Sequence, residues 1–353
     1  MRSTIFIKNK NLLPGLNMGL IKNALRKIDL ITKLLHTYKT PIFPYYHTVS
    51  NNNLNHIEGL FNYKNEEEFI KDLDFLLSTY NVLNPNDLVE CIQTGKSMPE
   101  NSFVLSFDDG LSEVYHNIVP ILNKKGIAAV FFINNRYIDN TKLFYKHKIS
   151  LIVQELKDAT NTEISKKIKD VLKKNDLDFG DPIKSVKSLY SKDQIILDEL
   201  LSLIGVDEKE FLKIQKPYLT IEQLKAIKQQ GHMIGGHTVN HYPMDKLSLD
   251  QQVIEIIDSV NWVKEHLGEK KELFSFPFSD SSASMKLFER VFVQMPELIC
   301  MGNAGMTKDF SARMIQRFSL EKEKRGDVEV RTNIAYGKYL SLIGKGTVKR
   351  QKE

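Results

Sequence analysis

Two cysteines in 353 residues, Cys91 and Cys300, are too few and too far apart for a zinc knuckle and exclude a disulfide-stapled scaffold. Long apolar runs are missing too: no window approaches ~18 uninterrupted apolar residues, so no membrane span is expected. Up to Thr40, polar or charged residues interrupt every stretch, and no basic region is followed by the apolar run of ~7–15 residues that a secretory signal needs. The expectation is a cytoplasmic protein, with the inner face of a membrane left open.

Positive charge is scarce in the body of the chain. The formal net charge is +5, but residues 1–40 carry +7 and residues 338–353 carry +4, which leaves the middle at −6. A phosphate-tracking surface needs its positive excess on the folded body, so a nucleic-acid partner is not expected. What remains is ordinary globular material, 42% hydrophobic and 26% charged. The length leaves one large or two ordinary domains open.

Residues 20–36 place Leu20, Ile21, Ala24, Leu25, Ile28, Ile31, Leu34 and Leu35 at helical spacing opposite Lys and Arg, a basic amphipathic helix. It reads either as an arm packed on the body or as a peripheral membrane contact. From Thr40 the pattern changes to short apolar runs followed by helices. Strands are expected at Pro41–Tyr46, Phe103–Phe107, Ile127–Ile133, His232–Gly235, Leu273–Pro277, Leu298–Met301 and Met314–Phe318. Helices are expected over Glu66–Thr79, from Ser112 to Gly126, from the capping box at Thr220 to Gly231, and from Ser248 to Gly268. Such alternation predicts a closed or nearly closed parallel barrel. Residues 141–216 are Lys- and Leu-rich, show no strand, and read as a helical insertion. The domain organisation is a basic arm over 1–40, a barrel over 41–140 and 217–337, the insertion, and a basic tail over 338–353.

Ser106-Phe107-Asp108-Asp109-Gly110 sets two carboxylates at the exit of an apolar strand, where they should project into a polar cleft rather than the core. A metal on one would leave the other free as a base; an Asp-Gly turn with a capping Asp is the plainer reading. Gly235-Gly236-His237-Thr238-Val239-Asn240-His241 sets two imidazoles four residues apart, able to meet one ion or to be ordinary surface histidines. Together the motifs make a His-His-Asp set with positions left for water.

SFDDG followed by HTVNH, each after a strand, resembles the first two signature motifs of the polysaccharide deacetylases, the family four carbohydrate esterases or nodulation-protein-type deacetylase domain. The resemblance implies a distorted (β/α)7 barrel, here with a helical insertion, and metal-dependent removal of N-acetyl groups from amino sugars. It makes Asp109, His237 and His241 ligands of a divalent metal, Zn2+ first, then Co2+, Ni2+ or Mn2+. Asp108 becomes the general base. In Phe274-Ser275-Phe276-Pro277-Phe278-Ser279 the backbone amide of Phe278 would help hold the oxyanion, while Ser275 stands where the family has an Arg. The family's late Leu-x-His motif is missing, since His266 is the only histidine after His241. His47, in Phe43-Pro44-Tyr45-Tyr46-His47-Thr48, resembles the aromatic-His element of the permuted poly-N-acetylglucosamine deacetylases and is assigned as general acid. Arg317 either lines a sugar cleft or closes an ion pair. Tyr137, Phe144, Tyr145 and Trp262 either stack on sugars or belong to the core.

The expected activity is an amino-sugar N-deacetylase acting on an N-acetylated carbohydrate of a bacterial glycan or its precursor. An O-acetyl esterase on the same site and a non-catalytic carbohydrate-binding barrel are the alternatives.

Overall fold

The computed structural model describes residues 39–158 and 162–352. The amphipathic helix read over residues 20–36 lies outside the described residues.

The chain order begins β1 (Pro44–Tyr46), α1 (Glu66–Thr79), β2 (Asn81–Val82), α2 (Pro85–Thr94), β3 (Ser102–Phe103), β4 (Leu105–Phe107), α3 (Val119–Lys125) and β5 (Ala129–Ile133). Five helices follow: α4 (Tyr145–Lys157), α5 (Thr162–Lys174), α6 (Pro182–Ser188), α7 (Gln194–Leu203) and α8 (Glu208–Gln215). The second half runs α9 (Ile221–Gln229), β6 (Met233–Gly236), α10 (Leu249–Leu267), β7 (Leu273–Ser275), α11 (Met285–Gln294), β8 (Ile299–Gly302), β9 (Met314–Gln316), β10 (Phe318–Ser319) and α12 (Gly326–Leu342).

Eight strand segments form one parallel sheet in the order β10-β1-β4-β5-β6-β7-β8-β9. β9 and β10 are a single run of chain broken at Arg317, and this run completes the ring. β9 pairs with β8 and β10 with β1. The hydrogen bonds change sides within one step, since Arg317 N donates to Gly302 O and Phe318 N to Phe43 O. Counted as one run, the circuit has seven members, the distorted (β/α)7 barrel that the strand–helix alternation and the family resemblance imply.

Alternation along the strands sorts the core. Ala129, Phe131 and Ile133 of β5 pack outward among Phe69, Leu73, Leu122 and Leu224 of the surrounding helices. Val130 and Phe132 join Met233, Leu273, Ile299 and Met301 in a second cluster, which Leu88 and Val89 of α2 complete. Burying each such side chain is worth about 1.5–3 kcal/mol. β6 fits because it carries Gly235 and Gly236. A Cβ on Gly235 would lie 2.6 Å from the Phe132 ring, and one on Gly236 would lie 2.5 Å from Ser259 Oγ and 3.0 Å from the Ser259 backbone.

Where local signals were strong, observed and expected elements coincide: α1 starts from an Asn65 capping box, α9 from Thr220 and α10 from Ser248. The run Phe103–Phe107 is in fact two strands, because β3 pairs with β2 while β4 pairs with β1 and β5. The helix read from Ser112 opens instead with a wide π-helical turn at Val114–Ile118, with no side-chain cap, before α3. Residues 338–353 do not behave as a free tail. Lys338 lies inside α12, and Arg350 is buried between Asp280 and Asp309. Two carboxylates in a nearly dry site hold a guanidinium far better than water-exposed ends hold each other.

Helices α4–α8 build their own apolar cluster from Ile149, Ile152, Leu172, Val186, Leu197 and Leu200. Fully buried Lys148 is held by Asp198 and Glu208, each at 2.5 Å. The excursion returns beside its origin, since Asn140 Nδ2 donates to Tyr218 O and Tyr218 N to Asn140 Oδ1. The returning chain also binds the loop after β4: Leu111 pairs with Tyr218, Ser112 N donates to Pro217 O, and Leu219 N donates to Gly110 O. The insertion is therefore stitched directly to the Asp108-Asp109-Gly110 loop.

Candidate metal centre and acid–base pairs

Strand ends aim the site residues. Asp108 follows β4 with its N–H donating to Tyr46 O, and His237 follows β6 with its N–H donating to Ile133 O. Asp109, Thr238, His241 and Phe278 all have left-handed backbones, at φ +75°, +68°, +53° and +54°. Non-glycine residues hold such conformations at a cost of order 1–3 kcal/mol each, and their clustering marks a built site.

Asp109 Oδ1 lies 3.0 Å from His241 Nε2 and 3.3 Å from His237 Nε2, and the two imidazole nitrogens are 3.2 Å apart. A tetrahedral ion with bonds of ~2.0–2.1 Å needs ligand atoms about 3.3–3.4 Å apart, so the donor set fits a small divalent cation. Asp109 Oδ1 is buried and accepts no well-formed hydrogen bond among the described residues, the mark of an atom waiting for a cation. His237 Nδ1 donates to Ser275 O at 2.8 Å, which leaves the Nε2 lone pair facing the site. Burial pushes the Asp109 carboxyl up, but the neighbouring imidazoles outweigh it and hold the group well below the usual carboxylate range. Burial draws His241 down. The 237–241 loop is braced from outside: Asn240 N and Nδ2 donate to Glu255, Tyr137 Oη donates to Asn240 O, and His241 N donates to Thr238 Oγ1.

Asp108 does not share this cluster. Arg317 donates Nη1 to its Oδ1 and Nη2 to its Oδ2, both at 2.8 Å. The same guanidinium reaches Ser106 Oγ, Gly302 O and Ser275 Oγ, and lies over the Tyr45 ring. Burial raises the Asp108 carboxyl, and the guanidinium more than reverses this, so its pKa is lowered. The position lacking the family Arg, Ser275, is thus served from a different strand. Ser275 is the small hydroxyl that leaves room for Arg317 and bonds it. Of the two sequence readings of Arg317, the structure shows the ion pair.

His47, at the exit of β1, donates its backbone N–H to Glu321 Oε1 at 2.7 Å, and its Nδ1 lies 2.6 Å from Glu321 Oε2. Phe61 stacks on the ring at 4.5 Å. Burial pulls this imidazole down, but the Glu321 carboxylate and its hydrogen bond dominate and raise the pKa to about 9. Nε2 has no protein partner among the described residues.

His47, Asp108, Asp109, His237, His241 and Phe278 all line one cleft of about 420 Å³. Phe278 rests on the His241 ring at 4.6 Å, and its N–H donates to no described group. Its loop is pinned through the C-terminal residues: Asn303 Nδ2 donates to Phe278 O, Asn303 N donates to Asp280, and Asp280 is held by Gln316 and Arg350. Phe144 joins the cleft wall, whereas Tyr137 and Tyr145 belong to the insertion's apolar cluster. Trp262 stacks on His266, at the end of α10 and away from the cleft.

Sequence reasoning offered an ion pair for Arg317 without naming Asp108 as its partner, and missed Glu321 altogether. The available signal was a charge inside or just after an apolar closing strand, Met314–Leu320, where burial without a partner is costly.

The polysaccharide deacetylase family profile matches residues 95–166 and 204–291, a span that holds Asp108, Asp109, His237, His241 and Phe278 but neither His47 nor Arg317 and Glu321. No curated protein matches the chain in sequence. Among solved structures, the fold is similar to the Streptococcus pyogenes deacetylase PplD in complex with acetate, at 16% identity, TM-score 0.52, over 83% of this chain and 97% of that one. It is also similar to a de-N-acetylase from Aggregatibacter actinomycetemcomitans, at 15% identity, TM-score 0.52, over 83% and 99%. IcaB from Ammonifex degensii aligns at 13% identity, TM-score 0.50, over 83% and 97%. At such identities these structures speak for the shared barrel alone.

Proposed function

We propose, from the match of residues 95–166 and 204–291 to the polysaccharide deacetylase profile, that the chain is a metal-dependent hydrolase removing N-acetyl groups from an amino sugar of a bacterial glycan or its precursor. The observation that carries this reading is the convergence, in one cleft, of the Asp109-His237-His241 donor set with two buried acid–base pairs, Arg317–Asp108 and Glu321–His47.

A divalent cation held by Asp109, His237 and His241, Zn2+ being the first choice for two imidazoles and a carboxylate, would polarise the acetyl carbonyl and acidify a water. Asp108, kept ionised by Arg317, takes the proton of the attacking water as the new C–O bond forms. The Phe278 N–H faces the developing oxyanion, a contact whose loss elsewhere costs ~10²–10³ in rate. His47, kept protonated by Glu321, gives its proton to the sugar nitrogen as the C–N bond breaks, so acetate and a free amine leave. The segregation of the two pairs matters, since one carboxylate is held as a base while the other holds an acid.

Cytoplasmic action, with basic residues 1–40 bringing the barrel to the inner face of an anionic membrane, belongs to the same proposal. Its support is the +7 charge of that stretch.

The test is acetate release from N-acetylglucosamine oligomers by metal-loaded protein, beside Asp108→Asn and a metal determination. Stoichiometric metal and acetate release that falls at least ~100-fold in the variant is expected. Protein that binds no divalent metal and frees no acetate from any acetylated sugar would sink the proposal. Acetate from O-acetyl esters alone would make it an esterase.

A further inference from the structure

The wall of the cleft facing the metal donors is built by the insertion, and its chemistry is not that of a neutral sugar site. Helix α4 starts at this wall. Its N-cap, Phe144, supplies no side-chain hydrogen bond, and the N–H groups of Tyr145 and Lys146 donate to nothing among the described residues. Phe144, Lys146, His147 and Ile149 of this segment line the cleft, together with Lys187 in the last turn of α6.

Lys146 is half-buried and has no carboxylate partner among the described residues. An ammonium in the first turn of a helix opposes the positive end of the helix dipole. The cation–π partner of Lys146 among the described residues is the Tyr145 ring, 5.3 Å from Nζ, which offers no anion. A third ammonium, that of Lys157, lies 3.7 Å from a Cβ built on Gly59, another residue of the wall.

His147 supplies the independent sign of a ligand. It is only 2% exposed, yet it lines the cleft. The Phe144 N–H donates to Tyr218 Oη at 2.9 Å, and Tyr218 Oη lies 2.8 Å from His147 Nδ1. Nδ1 is the acceptor within reach of the tyrosine hydroxyl proton among the described residues, so the hydroxyl donates to it and the matching tautomer places the ring hydrogen on Nε2. That N–H has no acceptor among the described residues. Donors of one kind therefore line this wall: the side chains of Lys146, His147 and Lys187, beside the unpaired first amides of α4. The acids of the same cleft, Asp108 and Asp109, are committed to Arg317 and to the metal donor set.

We propose that the N-terminal turn of α4, with Lys146, His147 and Lys187, is an anion subsite, and that the substrate is an N-acetylated sugar bearing an anionic oxygen group close to its acetamide. This rests on the deacetylase reading for the acetamide and on the insertion's donors for the anion. Helix N-termini flanked by cations bind phosphate and carboxylate alike. Two sources fit: a phosphate or diphosphate ester at the sugar's own anomeric carbon, or the carboxylate of a neighbouring uronic acid.

The experiment uses full-length, zinc-loaded protein and the Lys146→Gln/Lys187→Gln double variant. Acetate release is followed with uridine diphosphate N-acetylglucosamine, a hyaluronan tetrasaccharide and neutral chitotetraose, and binding of N-acetylglucosamine 1-phosphate is measured by calorimetry. Native protein should prefer one of the two anionic substrates, and which one identifies the source. The double variant should raise KM for that substrate about tenfold while moving KM for chitotetraose less than twofold, and Lys→Arg at both positions should restore it. The preference should shrink in 0.5 M salt, as a screening length of ~4 Å predicts. Equal KM for neutral and anionic sugars in native protein, or an anionic KM untouched in the double variant, overturns the proposal. Should no sugar release acetate while binding of the sugar phosphate still depends on the two lysines, the subsite stands and the deacetylase reading falls. Absence of both overturns the subsite.

Discussion

Arg317 and Asp108 face each other across the closing seam of the barrel as a bidentate ion pair, with both N–O distances at 2.8 Å and both side chains almost fully buried. Their separation of 209 residues in sequence is bridged only because the last strand run meets the first. Arg317 is the residue of the seam itself, where hydrogen bonding passes from β8 to β1.

Replacing Arg317 by Met should therefore strand a buried carboxylate. Loss of one partner of such a pair costs about 3–5 kcal/mol, much of which Asp108 can recover by taking up a proton. The expected result is a lower melting temperature together with a fall in kcat of ~10²-fold or more, because a protonated Asp108 cannot accept the water proton. Metal content should stay near that of the native protein, and full activity in Arg317→Met would refute the assignment. Denaturation curves and metal analysis check each part.

Glu321 should set the alkaline limb of the pH–rate profile. Its carboxylate raises His47 to about 9, so the acid form persists up to that pH and activity falls above it. In Glu321→Gln the burial that pulls the imidazole down is opposed only by the weaker pull of Asp109 and Asp108, and the limb should move down towards neutrality. Stability shifts with the same sign. The raised pKa contributes stability that is fully present below about 6.5, the ordinary imidazole value, and is lost as pH rises through about 9. An unmoved limb in kcat/KM would show that His47 is not the acid.

Metal removal should abolish activity without unfolding the barrel, since the apolar clusters of the core do not include the three donors. Zinc at a hundred times its dissociation constant should return about 2.7 kcal/mol of stability, seen as a raised melting temperature. His241→Ala should bind zinc weakly and show little of that rise.

Gly236→Ala tests how β6 aims His237. The new methyl would sit 2.5 Å from Ser259 Oγ and 3.0 Å from its backbone, so β6 or α10 must shift. Overpacking of this kind costs about 1–3 kcal/mol. Zinc affinity should drop along with stability, although no ligand has been changed.

Arg350→Gln probes the support beneath Phe278. Asp280 and Asp309 would lose their shared cation, and the chain of contacts through Asn303 to the Phe278 carbonyl would loosen. A fall in kcat at nearly constant KM is expected, since the Phe278 N–H acts on the oxyanion more than on bound substrate. A change in KM alone would assign the network to substrate binding.

Much of the architecture was legible from local chemistry. Thr220 and Ser248 announce helices that begin where their caps stand. The continuous apolar run around Phe131 marks a strand buried on both faces. Local signals could not separate β3 from β4, because one apolar run serves two different partners. They also left residues 338–353 as a free basic tail, since a guanidinium between two buried carboxylates looks like any other charge in one dimension.

The sequence by itself determined the donors of the site as two local pairs, adjacent Asp108 and Asp109 at one strand exit and His237 and His241 four residues apart after another; that Asp109 meets the two imidazoles follows from β4, β5 and β6 lying side by side in the ring. Only the tertiary structure decided what each donor is held by. Arg317 reaches Asp108, Glu321 reaches His47, and the N-terminus of α4 faces the metal donors because the ring closes and the insertion folds back beside its own origin. Such partners are set by burial, where an unpaired charge is too costly to keep, and no spacing or periodicity along the chain records that.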